Sequence, residues 1–310
     1  MSAARCLVAV LAVMLGGVTL AACGGGDAGT DASGRPTVVA TTTQLGDMAR
    51  AVAGGRARVE QILKANSDPH EYEPRPSDAR ALADAEVVLR SGGDLDEWLD
   101  DVLENAGGNA RTVTLIDAVR KRSAEQGIDP HWWQDPRNAV VAVRTIRDAL
   151  ITADPGGRAT YSASADAYSK RLRGLDRAIA ACVERIPEAE RKLVTDHDAL
   201  RYYADRYAIE VIGTVIPALS TQAQASAADV ARLARTIRAE GVTTVFSAGS
   251  VNRKLAGAIA RDSGAKIGSE LYADTLGPEG SAGATYLGSL QANTRALVAG
   301  FSDGKQRCEL

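Results

Sequence analysis

The chain reads as an α/β protein of two lobes, each a roughly four-stranded parallel sheet flanked by helices, joined by one long α-helix. Three observations carry that reading. Short β-branched runs alternate with helical stretches, a rhythm that implies parallel strands with helices packed on the sheet. The rhythm occurs twice, once before residue 157 and once after residue 187. Between the two, Tyr161, Ala165, Tyr168, Leu172, Leu175, Ile179, Cys182 and Ile186 recur at spacings of four and three, which puts one apolar stripe along a single helix. At 1.5 Å per residue, about 30 residues reach about 45 Å, the span of a domain. That helix is either a spine between lobes or simply a long surface helix. A 310-residue chain with 45% apolar and 24% charged residues can bury a core in one or two domains. Its net charge of −3 comes from interspersed signs, which argues against a nucleic-acid surface.

The N-terminus is different material. In residues 1–22 Arg5 supplies a positive charge, and the apolar run over residues 7–20 is too short for a spanning helix of about 20 residues, as in a signal peptide. Leu20-Ala21-Ala22-Cys23 closes the run and resembles a bacterial lipobox, in which the cysteine becomes the lipidated first residue. The alternative is an ordinary secretory signal with an incidental cysteine. Residues 23–35, rich in Gly, Ala, Ser and Asp, read as a flexible tether. The remainder is therefore expected outside the cytoplasm, lipid-anchored to a bacterial membrane, in the periplasm or on the cell surface. With Cys6 removed and Cys23 lipidated, Cys182 and Cys308 are an even pair in an oxidising space. They form a disulfide or remain two thiols, depending on whether their α-carbons come to about 5.5 Å.

The first lobe is expected over residues 36–156. Its first strand is the run Arg35-Pro36-Thr37-Val38-Val39-Ala40-Thr41, followed by a helix over 47–53 and a strand over 58–63. Ser77-Asp78 caps a helix to Ala85, 86–90 is a third strand, and Gly92-Gly93 turns the chain into a helix over 95–105 whose inner face is Trp98, Leu99, Val102 and Leu103. Residues 112–116 make a fourth strand. Asp135-Pro136 opens the next helix, with proline suited to its first turn, and Asp154-Pro155-Gly156-Gly157 ends it. The linking helix is assigned to 157–187 and ends at Pro187.

The second lobe, 188–310, repeats the pattern with strands at 192–195, 210–215, 243–246 and 265–267. Helices fall at 199–207, at 227–239 with a cap near Ser226, at 252–262 and at 284–301. Residues 272–278 are a loop.

Histidine is scarce, with three in the whole chain, and its placement is ordered. Asp68-Pro69-His70-Glu71-Tyr72 and Asp129-Pro130-His131-Trp132-Trp133 share Asp-Pro-His-x-aromatic, and the third histidine lies in Thr195-Asp196-His197-Asp198. Any one of them alone is ordinarily a surface or hydrogen-bonded residue. Each, however, follows a predicted strand, and strand C-termini are where open α/β sheets place ligands. Neutral imidazole is a ready zinc ligand near pH 7, and three converging on one cleft read as a single metal site.

From Val38 to the last helix the chain resembles the cluster A-I substrate-binding proteins, the metal-binding proteins of bacterial ABC importers for zinc and manganese. The resemblance rests on the two Asp-Pro-His segments with their trailing Glu73-Pro74 and Gln134-Asp135-Pro136, on Asp196-His197 with Tyr202, Tyr203 and Tyr207, and on Tyr272-Ala273-Asp274-Thr275-Leu276-Gly277. It implies the two-lobed fold with one linking helix and a ligand set of His70, His131, His197 and Asp274. On residue chemistry alone Asp274 is turn material, and it enters the set through its motif. Two departures stand out: residues 118–128 lack the histidine- and acid-rich insertion of many zinc-selective members, and Ala248 stands where relatives often carry an acid.

Three imidazoles and one carboxylate suit Zn²⁺, whereas oxygen-richer sites suit Mn²⁺, and manganese-type relatives often replace the third histidine by a carboxylate. His197 therefore points to zinc, with manganese as the alternative. Asp68, Asp129, Asp196 and Asp198 are candidates to orient the imidazoles or to cap turns. The resemblance implies a monomeric, non-enzymatic receptor whose cargo is the ion and whose partner is an importer's membrane permease, with a metallochaperone as a further candidate partner. Two other classes compete: a zinc hydrolase or lyase, for which no His-Glu-x-x-His helix is present, and an adhesin with a structural metal.

Overall fold

The computed structural model describes residues 34–310 apart from 126, 217 and 249–252, so the signal peptide, the Cys23 lipidation and nearly all of the tether lie outside the described residues. The first lobe runs β1 (Thr37–Ala40), α1 (Thr43–Ala53), β2 (Arg58–Gln61), α2 (Pro76–Ala83), β3 (Val87–Arg90), α3 (Trp98–Ala106) and β4 (Arg111–Thr114). Its four strands form one parallel sheet in the order β2-β1-β3-β4. Helix α1 begins four residues before the predicted start. Thr42, in an extended conformation, accepts the Leu45 N–H as a cap, so the polar run that looked like loop already belongs to the helix.

A short hairpin, β5 (Ser123–Ala124) and β6 (Gly127–Ile128), was not anticipated. Helix α4 (Pro136–Ala153) starts where expected, with Pro136 in the first turn and the Asp135 carboxylate accepting the Arg137 N–H.

The linking helix α5 (Arg158–Val183) has 26 residues, about 39 Å at the helical rise. Every stripe residue within it, from Tyr161 to Cys182, is buried. One face packs on α1 and α4 of the first lobe, and the helix continues against α6 (Arg201–Tyr207) and α9 (Tyr286–Phe301) of the second. It is therefore the shared spine of both lobes, not a surface helix. A single apolar cluster runs from Val38 and Leu89 through Tyr161, Leu172 and Ile179 to Tyr203, Leu290 and Leu297.

The second lobe contains β7 (Lys192–Thr195), α6, β8 (Glu210–Thr214), α7 (Ala227–Glu240), β9 (Thr244–Val245), α8 (Arg253–Ser263), β10 (Lys266–Ile267) and α9. Its sheet is less continuous than expected: β7 pairs with β8 and β9 with β10, both in parallel. The two pairs are joined where Phe246 N–H donates to the Val194 carbonyl at 2.9 Å. With β9 and β10 two residues long, there is too little ladder for one unbroken sheet. The resulting order, β8-β7-β9-β10, repeats that of the first lobe element for element.

Cys182, near the end of α5, lies against Cys308 with the α-carbons 5.9 Å apart, a separation that fits the disulfide of the two sequence-based alternatives. Among the described residues, no helix is long and apolar enough to cross a membrane.

Candidate metal centre

The three Asp-containing histidine segments fold through the same local device. In Asp68-Pro69-His70 the Asp68 Oδ1 accepts the His70 N–H at 2.9 Å, and Asp129 Oδ1 does the same for His131 at 3.0 Å. Proline between them has no N–H to compete, so the aspartate closes the turn. Asp196 Oδ1 accepts the N–H of the next residue, His197, at 2.9 Å.

Two of these aspartates also reach the ring. Asp129 Oδ1 lies 2.8 Å from His131 Nδ1 and Asp196 Oδ1 lies 3.2 Å from His197 Nδ1. A carboxylate on Nδ1 fixes that nitrogen as the donor and leaves the Nε2 lone pair free to face the cleft. Asp68 closes its turn and stands beside the Thr221 side chain of the second lobe, and Asp198 is turned away, holding Arg201 Nε at 2.7 Å through both oxygens. Ala248, read from the sequence as a missing contribution, supplies its backbone N–H to Asp196 Oδ2 at 2.5 Å.

The structure brings all four predicted residues together. His70, His131, His197 and Asp274 each offer one donor atom, and the four atoms lie within 4.8 Å of one another. His131 Nε2 is 3.4 Å from His70 Nε2 and 3.4 Å from Asp274 Oδ1, and His197 Nε2 is 3.2 Å from the Asp274 carboxylate. A tetrahedron with metal–nitrogen bonds of about 2.0–2.1 Å has edges of about 3.3 Å, so these separations match a first coordination shell. His131, His197 and Asp274 are buried, and His70 alone of the four keeps partial exposure. His70 and His131 come from loops beyond β2 and β4, His197 and Asp274 from loops beyond β7 and β10.

Burial opposes charge at every one of these groups, and the outcome depends on neighbours. Burial together with the two other imidazoles pushes His70 down to about 3. At His131 and His197 the same penalty is outweighed by the carboxylates of Asp129, Asp196 and Asp274, and both are raised. Asp274 is likewise buried, yet the facing imidazoles hold it well below the usual carboxylate range.

The residues that fix the donors across the cleft were not assigned that role from the sequence, although Trp133, Gln134 and Tyr202 lie within the motifs quoted above. Gln44 Nε2 donates to the Asp274 carbonyl at 2.9 Å, while Trp133 Nε1 at 3.0 Å and Gln134 Nε2 at 2.7 Å both donate to the Ala273 carbonyl. Thr43 Oγ1 accepts the Leu276 N–H at 2.9 Å. Tyr202 OH donates to the Asp129 carbonyl at 3.2 Å and accepts the Arg122 N–H at 2.8 Å, tying the unforeseen hairpin to α6. Lobe one thus grips the loop of Asp274, and lobe two grips the turn of His131. For Thr43 and Gln44 the available signal was positional: they lie just beyond the C-terminal end of β1.

Comparison with known proteins gives a consistent set of likenesses. Residues 38–300 match the family described as ZnuA, zinc-uptake complex component A, periplasmic. The manganese-binding lipoprotein MntA of Halalkalibacterium halodurans is 33% identical over 293 residues, covering 94% of this chain and 97% of that protein. The iron-binding protein YfeA of Yersinia pestis is 29% identical over 276 residues, 88% of each chain. Among solved structures, the periplasmic zinc-binding protein TroA from Treponema pallidum superposes with a TM-score of 0.82 at 27% identity, covering 86% of this chain and 99% of its own.

Proposed function

We propose a function from one premise: the chain belongs to the family of periplasmic zinc-uptake complex component A proteins. It is a metal receptor that captures a divalent ion between its lobes, with His70, His131, His197 and Asp274 as the ligands, and hands it to the membrane permease of an ABC importer. The observation that carries this reading is the set of four donors, three imidazoles and one carboxylate, drawn from both lobes with their ligand atoms within 4.8 Å of one another. A catalytic zinc keeps an open position for water, and here the Asp274 carboxylate fills the fourth place. The family is one of transport receptors, which sets the hydrolase reading aside.

Zinc is the proposed ion. Three nitrogen donors favour it over the harder manganese. Manganese is the second reading, because the relative at 33% identity is named for manganese binding. Lipidation at Cys23 would hold the receptor at the outer face of the cell membrane, and the tether would let it reach its permease. The decisive measurement is metal content after purification without added metal, followed by competition between Zn²⁺ and Mn²⁺. Stoichiometric zinc that excess manganese does not displace is expected. A protein that holds no divalent ion overturns the receptor reading, and displacement of zinc by manganese overturns the choice of ion.

Proton competition gives a further expected result. Ligands bind metal in their deprotonated forms, so an ion entering the site displaces the protons that His131 and His197 carry in the metal-free protein. Both are raised above the ordinary imidazole value of 6.5, so affinity should already be falling as pH drops through neutrality. With two protons exchanged per ion, the loss approaches about a hundredfold per pH unit. Isothermal titration in buffers of different ionisation enthalpy reads the proton count directly; a count of zero would contradict the raised pair.

A further inference from the structure

The four donors are not held alike. The Asp274 loop is fastened to the first lobe by Gln44, Trp133 and Gln134, and the His131 turn to the second by Tyr202. His197 is locked within its own lobe through Asp196 and Ala248. These three form a rigid, buried platform. His70 differs on each count. It sits in the irregular stretch between β2 and α2, it is partly exposed, and Asp68 touches its backbone but not its ring. Across the cleft its own carbonyl oxygen accepts a hydrogen bond from Gln222 Nε2, an exposed side chain of the second lobe. Beside it a cavity of about 520 Å³, lined among others by Tyr72, Trp98, Ile128 and Leu219, opens against both His70 and Gln222.

We propose that Gln222 is a positioning residue for ion retention: its amide holds the His70 loop closed over the three-donor platform, and release proceeds by breaking that bond and withdrawing His70 toward the adjacent cavity. The proposal rests on the receptor reading and adds to it which ligand leaves first and what restrains it. An exposed bond is a suitable restraint, because water can replace it at little cost once it opens, whereas breaking the buried bonds at Ala273 and Asp274 would strand polar groups. Retention is then governed by dissociation, the rate through which most affinity differences within one site act.

The test is a chelator chase of zinc-loaded full-length protein by stopped flow, comparing wild type with Gln222→Met, which keeps side-chain length and neutrality and removes the N–H donors. Release should speed up roughly three- to tenfold, the worth of one solvent-accessible hydrogen bond, with the association rate and the melting temperature of the metal-free protein unchanged. In a His70→Ala background the same substitution should change the release rate by less than about twofold, since the loop that Gln222 restrains through its backbone carbonyl no longer carries a ligand. Equal release from wild type and Gln222→Met overturns the proposal while leaving the receptor intact. The same acceleration with and without His70 overturns it too, by showing that Gln222 acts on the fold at large. A wild-type protein that retains no zinc removes the receptor reading itself.

Discussion

Replacing Asp274 by Asn should weaken divalent-ion binding by about 10²- to 4 × 10³-fold while leaving the lobes in place. The substitution isolates charge. The Asp274 backbone carbonyl, held by Gln44, and the neighbouring Ala273 carbonyl, held by Trp133 and Gln134, are untouched by a change at the side chain. An amide is nearly isosteric with the carboxylate, but the site loses the only anion among its four donors. At a position 1% exposed, removing one partner of a charge pair costs about 3–5 kcal/mol, which sets the range given. The metal-free protein gives an independent readout. In the wild type the carboxylate raises His131 and His197, so the pair contributes stability that is fully present below the ordinary imidazole value of 6.5 and is lost as pH rises through their raised values. The melting temperature of metal-free Asp274→Asn should therefore fall furthest below wild type at mildly acidic pH, and the two should converge at alkaline pH. Competition with a chelator of known affinity measures the first effect and scanning calorimetry across pH the second. Binding within threefold of wild type would remove Asp274 from the site.

The three converging histidines were legible in the sequence because histidine is rare and each copy sits behind an acid at the end of a strand, whereas Asp274 entered only through the family resemblance. A scarce residue in a repeated local context needs no tertiary information to be noticed. What holds the donors was not legible, for a physical reason: Gln44, Trp133, Gln134, Tyr202 and Gln222 all recognise backbone carbonyls, and every residue offers one. Such contacts leave no pattern in the partner's side chains. The fold shows the same division. The stripe from Tyr161 to Cys182 announced the spine helix because burial along one face writes a period into the chain. The hairpin at Ser123–Ala124 and Gly127–Ile128 has no apolar alternation, and the structure ties it down through Arg122, which meets Tyr202 and Asp205 on the far lobe. The second sheet breaks into pairs because β9 and β10 are two residues each, too short a ladder for the longer strands that the β-branched runs suggested.

Converting Cys182 and Cys308 together to Ala should lower stability by about 4–5 kcal/mol and the melting temperature by roughly 10–15 °C, while ion affinity at a temperature where both proteins are folded stays within about twofold. The bond joins residues 126 apart in sequence, and the loop it closes contains β7 through α9, the whole second lobe. Cross-linking so long a loop removes a large share of the unfolded chain's freedom, and the logarithmic dependence on loop length gives the figure above. Both cysteines are buried, so alanine leaves small apolar side chains in small apolar sites and adds little cost of its own. The tail keeps other anchors. Arg185 donates from Nη1 to the Arg307 carbonyl at 3.1 Å and from Nη2 to Gln306 Oε1 at 2.7 Å, and Arg295 Nη2 donates to the Leu310 carbonyl. These exposed bonds hold the last residues against α5 and α9 in the folded state but constrain nothing once the chain unfolds, so they cannot substitute for the disulfide. Affinity is spared because the bonds that fasten the His131 turn and the Asp274 loop involve neither α5 nor the tail. Thermal melts of the double variant, and of wild type with and without reductant, measure the effect. A shift below about 3 °C would mean that the second lobe is held in the unfolded ensemble by something other than this bond.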